Sequence, residues 1–392
     1  MQIQQFLAKM NEIQTNVLTF IERDTNSNED FENLKLFLNS SQIKLNRQEL
    51  REFLLLINNI SANYSSYPTF YEKIERIILI FRTEIQQFYS NFDVFMIFHS
   101  NKRILLFLIQ QNLLNFDQNI AQIICSEKYY KKGYCSYFYH ELHSPNVKFN
   151  LLIQNKQKQY LHGFQKISPI VNQFTPEEFE KNRQLGQNHT QICNLVRNDM
   201  INEFIVYVNQ TNYPLTAHIE KSLFETNPFL IENKKVTLLE YAAFFGAIQI
   251  IRYLKMNNVD FTESIWPYAI HSNNAELIHL LEEDGVRPKL NQYSPLYVES
   301  IKCHHNNIAN YIFDNFLNNV DDESTKKHRR SALKSHNYEF FLHLNNFADY
   351  FQLLCKYNYV EIVSILLNNS DLNLINVIVS YLILFIKFFI QL

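Results

Sequence analysis

The stretch Thr237–Leu254, TLLEYAAFFGAIQIIRYL, constrains this chain more than any other. Leu238, Leu239, Ala242 and Ala243 run into a lone glycine, Gly246, after which Ile250, Ile251 and Leu254 share one helical face. Small residues let one helix press closely on a neighbour. A glycine between two helices admits the left-handed backbone that a tight turn requires. The spacing predicts a helical hairpin, and a lone hairpin has nothing against which to bury its apolar face.

The pattern recurs. Further second helices are expected at Asn273–Leu281 (NNAELIHLL), His304–Ile312 (HHNNIANYI), His336–Leu344 (HNYEFFLHL) and Asn358–Leu366 (NYVEIVSIL). Aligned on these, the turn column reads Gly246, Asn273, His304, His336 and Asn358, and Asn and His are among the non-glycine residues enriched at positive φ. A polar column three residues later reads Gln249, Glu276, Asn307, Glu339 and Glu361, followed by an apolar pair in each copy. First helices are expected at Trp266–His271, Ser294–Ile301 and Phe351–Tyr357, and a degenerate copy precedes the array at Ile192–Arg197 and Glu203–Val208.

These residues resemble the ankyrin repeat, whose pattern runs Thr-Pro-Leu-His-x-Ala-Ala-x-x-Gly-His before its second helix. Thr237, Leu239, Ala242, Ala243 and Gly246 match it; Leu238, Glu240 and Ala247 replace the usual Pro, His and His. Turn-column spacings of 27, 31, 32 and 22 depart from a regular repeat of about 33, leaving little room for the β-turn finger at the two shortest junctions. The array is also similar to that of an expanded ankyrin family of trichomonad protists carrying a domain of unknown function. That resemblance implies a helical region ahead of the repeats and no known activity.

The expected fold is all-α: a helical N-terminal domain (1–143), an irregular boundary region (144–174), an ankyrin-like α-solenoid (175–372) and an apolar C-terminal tail (373–392). N-terminal helices are expected at Ile3–Ile21, Phe31–Leu38, Arg47–Ile60 and Tyr71–Phe88, with a further hairpin within Asn91–Gln111. Thr175-Pro176-Glu177-Glu178 reads as a helix start, with Thr175 as cap, proline in the first turn and Glu178 closing a capping box.

Five glycines, Gly133, Gly163, Gly186, Gly246 and Gly285, lie too far apart for a phosphate-cradling loop, a dinucleotide fingerprint or a nucleophile elbow. The chain is therefore read as non-enzymatic and without a cofactor. Cys125, Cys135, His140 and His143 are metal-ligand types. Nine residues separate the two cysteines, however, and the histidines are three apart, so a zinc-dependent protein built on them is the weaker alternative. A net charge of −3 gives no general attraction for nucleic acid. Five cysteines without framework spacing suit reduced thiols and a cytoplasmic protein, with nuclear or membrane-anchored placement as alternatives.

The basic run Lys326-Lys327-His328-Arg329-Arg330 is a nuclear-import patch or, more simply, a solvated loop between repeats. Leu374–Leu392 has Lys387 as its sole charge and is long enough to span a bilayer. It is a tail anchor, a buried terminal helix or a truncated coding end. The function expected is a protein–protein interaction scaffold gripping an unidentified protein partner on its concave face. Contact residues expected to be exposed there are Glu240, Tyr241, Trp266, Tyr268, Tyr297 and Glu299. A tail-anchored membrane adaptor is the alternative.

Overall fold

Every regular element among the described residues is helical, and the one β-bridge pairs His218 with Thr237. The computed structural model describes residues 2–23, 27–64, 69–145, 147–148, 168–233, 235–317, 322–341 and 350–369. The tail 374–392 and most of the 144–174 boundary lie outside them.

Local chemistry sets the helix ends. Thr175 caps Pro176–Leu185 with both halves of a capping box: its hydroxyl accepts from the Glu178 N–H, and its own N–H donates to the Glu178 carboxylate. Gly186, at φ +69°, ends that helix. The N-terminal helices form at Gln2–Glu22, Asn28–Ser40 and Arg47–Asn63. Where one helix was expected over Tyr71–Phe88 there are two, Phe70–Leu79 and Arg82–Phe88. They break at Phe81, whose backbone leaves the helical region at φ −107° while its ring is wholly buried. The basic run is not a loop. It lies in the helix Asp322–Ser335, with His328 buried and its four cationic neighbours exposed.

The described residues fall into two compact units, one within 57–317 and one within 1–56 and 322–369. They cut across the sequence-level division into 1–143 and 175–372. Long-range polar bonds in the second of these units give the physical reason. Gln14 is completely buried on Gln2–Glu22; its Nε2 donates to Asn337 Oδ1 at 2.9 Å and its Oε1 accepts from the Tyr338 N–H at 2.8 Å. Glu52, equally buried, accepts from the Tyr338 hydroxyl at 3.2 Å and from the Glu361 N–H at 2.9 Å. Buried polar groups need such partners, so these bonds hold the first fifty residues to the last described ones. His336 stacks on Tyr359 at 4.6 Å, and Phe341 completes an aromatic core.

In the 57–317 unit, helical hairpins follow one another in chain order. Their first helices, Gln191–Arg197, Leu238–Phe245, Trp266–Ser272 and Tyr293–Cys303, each pack against the next. The second helices are Ile201–Thr211, Ile248–Met256, Ala275–Glu283 and Asn306–Phe316. Side chains tie consecutive hairpins together. Asp199, in the first turn, accepts the Gln249 and Ile250 N–H groups at 3.0 Å each, satisfying donors that a helix start leaves orphaned. Asn274 repeats the theme, its Nδ2 donating to the Gly246 carbonyl at 3.4 Å.

Candidate functional site

The turn column has a common backbone. Gly246, Asn273, His304, His336 and Asn358 have φ of +66°, +51°, +60°, +54° and +63°, and Asp199 in the preceding hairpin has +47°. In two hairpins a second left-handed residue follows twelve positions later and ends the second helix: Asn258 after Gly246 and Gly285 after Asn273. The same turn chemistry thus sets the geometry between helices throughout the stack.

The six expected contact residues do not form an exposed face. Tyr241, Trp266, Tyr268 and Tyr297 are buried, none more than 6% exposed. Trp266 donates its indole N–H to the Val286 carbonyl at 2.8 Å, and the Tyr241 hydroxyl accepts from Arg197 at 3.0 Å. Tyr268 packs edge-on against Phe229, and Tyr297 lies tilted against Phe313. Glu240 is half-buried and spent on structure. Its carboxylate accepts the Thr237 N–H at 2.9 Å in a capping box and a hydroxyl from Ser264 at 2.9 Å. The Thr-x-x-Glu spacing carries that signal in the sequence.

The partners of these rings lie within the hairpins and at Phe229. Asn63, Tyr64 and Tyr71 of the same unit touch other positions. Tyr64 meets the His305 ring at 4.6 Å and Asn273 at 3.5 Å, Tyr71 bonds Thr226 at 3.0 Å, and the Asn63 carbonyl accepts from the His271 ring. What remains exposed is the outer row of second-helix residues, including Gln249, Arg252, Glu276, His279 and Asn310. Arg252 and Glu276 pair across two hairpins at 2.8 Å, and Lys255 pairs with Asp284.

Glu299, the sixth residue, belongs to a buried cluster. Its Oε1 lies 2.8 Å from His271 Nε2 and 2.9 Å from Lys302 Nζ, and Cys303 Sγ is 3.4 Å from His271 Nδ1. Burial pushes the Glu299 carboxyl up, yet His271 and Lys302 outweigh it and hold it at about 2. Burial lowers His271, which keeps the ring neutral at pH 7, and pushes the Cys303 thiol well up. Thiol, imidazole and carboxylate in this order can activate a nucleophile. Cys303, however, is completely buried and held as a thiol, so it is a poor one.

The sequence-level zinc quartet is not brought together. Cys135 Sγ faces the Ile124 carbonyl at 3.3 Å, His140 pairs with Glu180 at 3.2 Å and His143 contacts the Tyr139 carbonyl at 2.7 Å. Among the described residues, the three-residue group with metal-ligand spacing is His271, Glu299 and Cys303, their ligand atoms all within 4.8 Å of one another. All five cysteines are free thiols.

A cavity of about 180 Å³ opens beside Lys102, Lys132, Asn188, Glu225 and Tyr241. Lys102 Nζ donates to the Glu225 and Lys132 carbonyls at 2.7 and 3.3 Å, and burial lowers it to about 7. The Glu225 carboxylate accepts the N–H groups of Thr226, Asn227 and Asn188. These charged groups are engaged by backbone, which suits a structural role.

Comparison with protein-family models, curated proteins and solved structures gives no match. The resemblance to ankyrin repeats is one of sequence pattern.

Proposed function

We propose that the protein is a non-catalytic interaction scaffold built from divergent ankyrin-like hairpins, and that it binds a protein partner. The observation that carries this reading is the stack in 191–316, where first helices pack in sequence and each turn is left-handed at one aligned position. Such an array is a rigid frame that repeats the same outward positions, as a scaffold needs.

The aromatic side chains of the first helices are buried, so the partner is assigned to the exposed second-helix row around Gln249, Arg252, Glu276 and His279. No described helix is long and apolar enough to cross a membrane. A tail-anchored adaptor would rest on 374–392 alone. Affinity capture from the native cell, followed by footprinting of the captured complex, tests both readings. The scaffold reading expects protection of the second-helix row and loss of capture on Arg252→Glu with Glu276→Lys. Capture that survives this double charge reversal, or that follows membranes and disappears on deleting 374–392, would refute this surface or favour the anchor.

A further inference from the structure

The geometry points to a divalent transition-metal site, of the zinc class, at His271, Glu299 and Cys303. His271 ends the first helix of one hairpin, while Glu299 and Cys303 sit one turn apart on the first helix of the next. Two rigid helices therefore converge one nitrogen, one oxygen and one sulfur. His271 Nε2 is 2.8 Å from Glu299 Oε1 and 3.7 Å from Cys303 Sγ. Zinc bonds of about 2.0–2.3 Å place tetrahedral ligand atoms roughly 3.3–3.8 Å apart, so the carboxylate must open by about half an ångström, and Cys303 Sγ, which lies nearer Nδ1 at 3.4 Å, must swing toward the Nε2 side to join it.

A second observation supports a metal over a plain hydrogen-bonded cluster. The His271 ring has the Asn63 carbonyl as a further acceptor. A ligating histidine commonly gives its other ring N–H to a backbone carbonyl, which fixes the tautomer that leaves a lone pair for the metal. Without metal, the thiol can donate to one ring nitrogen while the other donates to Glu299. On binding, the ring proton moves to the nitrogen facing Asn63 and the thiol proton is released to solvent. Cys303 then binds as thiolate, His271 as neutral imidazole and Glu299 as carboxylate. A water completes the fourth position on the Glu299 side, where that side chain is 19% exposed.

Lys302 opposes this. Its ammonium holds the same Glu299 oxygen at 2.9 Å, but its side chain is 33% exposed and can turn into solvent. It acts as an internal competitor, which gives the site a signature that adventitious binding lacks. Removing its charge should tighten metal binding at least about tenfold.

Cobalt(II) titration of the full chain tests this, with the thiolate-to-cobalt charge-transfer band as readout. The site expects one cobalt per chain, a tetrahedral spectrum and displacement by zinc. The band should persist in Cys355→Ser, vanish in Cys303→Ser and appear at lower cobalt in Lys302→Gln. Zinc should raise the melting temperature of the wild type but not of Glu299→Gln, which keeps the test open if Cys303→Ser does not fold. An octahedral spectrum without a thiolate band, a band retained in Cys303→Ser, or no tightening in Lys302→Gln would overturn the assignment.

Discussion

Substituting Gly246 with alanine tests the turn column, because the structure separates two costs at this position. The first is backbone strain: at φ +66° an L-residue with a Cβ is disfavoured by about 1 kcal/mol or somewhat more. The second is crowding. A Cβ on Gly246 would stand 3.1 Å from Asn274 Nδ2 and 3.3 Å from both Asn274 Cβ and Ser272 Cβ. Asn274 cannot yield freely, since its Oδ1 caps the following helix through the Leu277 N–H at 3.3 Å. Losing that cap costs about 1 kcal/mol. Gly246→Ala should therefore destabilise the 57–317 unit by about 2–3 kcal/mol. Gly285 supplies the control. Its φ is +70°, yet a Cβ there meets nothing within 4 Å, so Gly285→Ala should show the strain alone, about 1 kcal/mol. Urea denaturation followed by fluorescence of Trp266, the sole tryptophan, reads both variants from inside the stack. Equal and small losses, below about 0.5 kcal/mol, would refute a left-handed, closely packed turn at Gly246 and with it the alignment of the hairpins.

Three further outcomes are expected. Burial pushes Glu52 up to about 8 from 4.5, so the folded protein keeps a proton that the unfolded chain releases; stability is full below about pH 4.5 and declines as pH rises through about 8. The loss approaches about 5 kcal/mol, and Glu52→Gln should flatten this part of the pH–stability curve; an unchanged slope would show that Glu52 ionises freely. Thr237→Ala should cost about 1 kcal/mol by removing the capping box, measured by the same urea titration, and a neutral result would return Glu240 to the pool of contact residues. Trp266→Ala should destabilise the stack by about 3–5 kcal/mol, a core penalty, whereas a loss below about 1 kcal/mol would place the ring on the surface.

The parts of the fold legible in the sequence were those set by local chemistry. Left-handed turns select Gly, Asn, His and Asp, so the column from Gly246 to Asn358 can be read without knowing what packs around it. Thr175 and Glu178 announce a helix start by spacing alone, and so do Thr237 and Glu240. Glu240 of the second pair is nevertheless among the expected contact residues, although its carboxylate closes the capping box. Burial was harder to read. Tyr241, Trp266, Tyr268 and Tyr297 meet partners in the hairpins and at Phe229. Tyr64, some two hundred residues earlier, reaches the turn column at Asn273 and His305, and no periodicity reports a contact at that separation. The bonds from Gln14 and Glu52 to residues 337–361 are equally silent in sequence, so the compact units differ from the boundaries that composition suggests. The His271 cluster was missed for a related reason. Its members are 28 and 32 positions apart, one repeat length, and become neighbours only through stacking.

Hydrogen exchange of the free protein, resolved by peptide, tests the central claim most directly. Stacked hairpins with buried first helices predict one slowly exchanging block comprising Leu238–Phe245, Trp266–Ser272, Tyr293–Cys303 and the segment around Asn63 and Tyr64. The outer ends of the second helices, near Lys255–Asn257 and Glu282–Glu283, should exchange faster. First helices that exchange as fast as those ends, or a 57–64 segment that exchanges freely, would contradict the account.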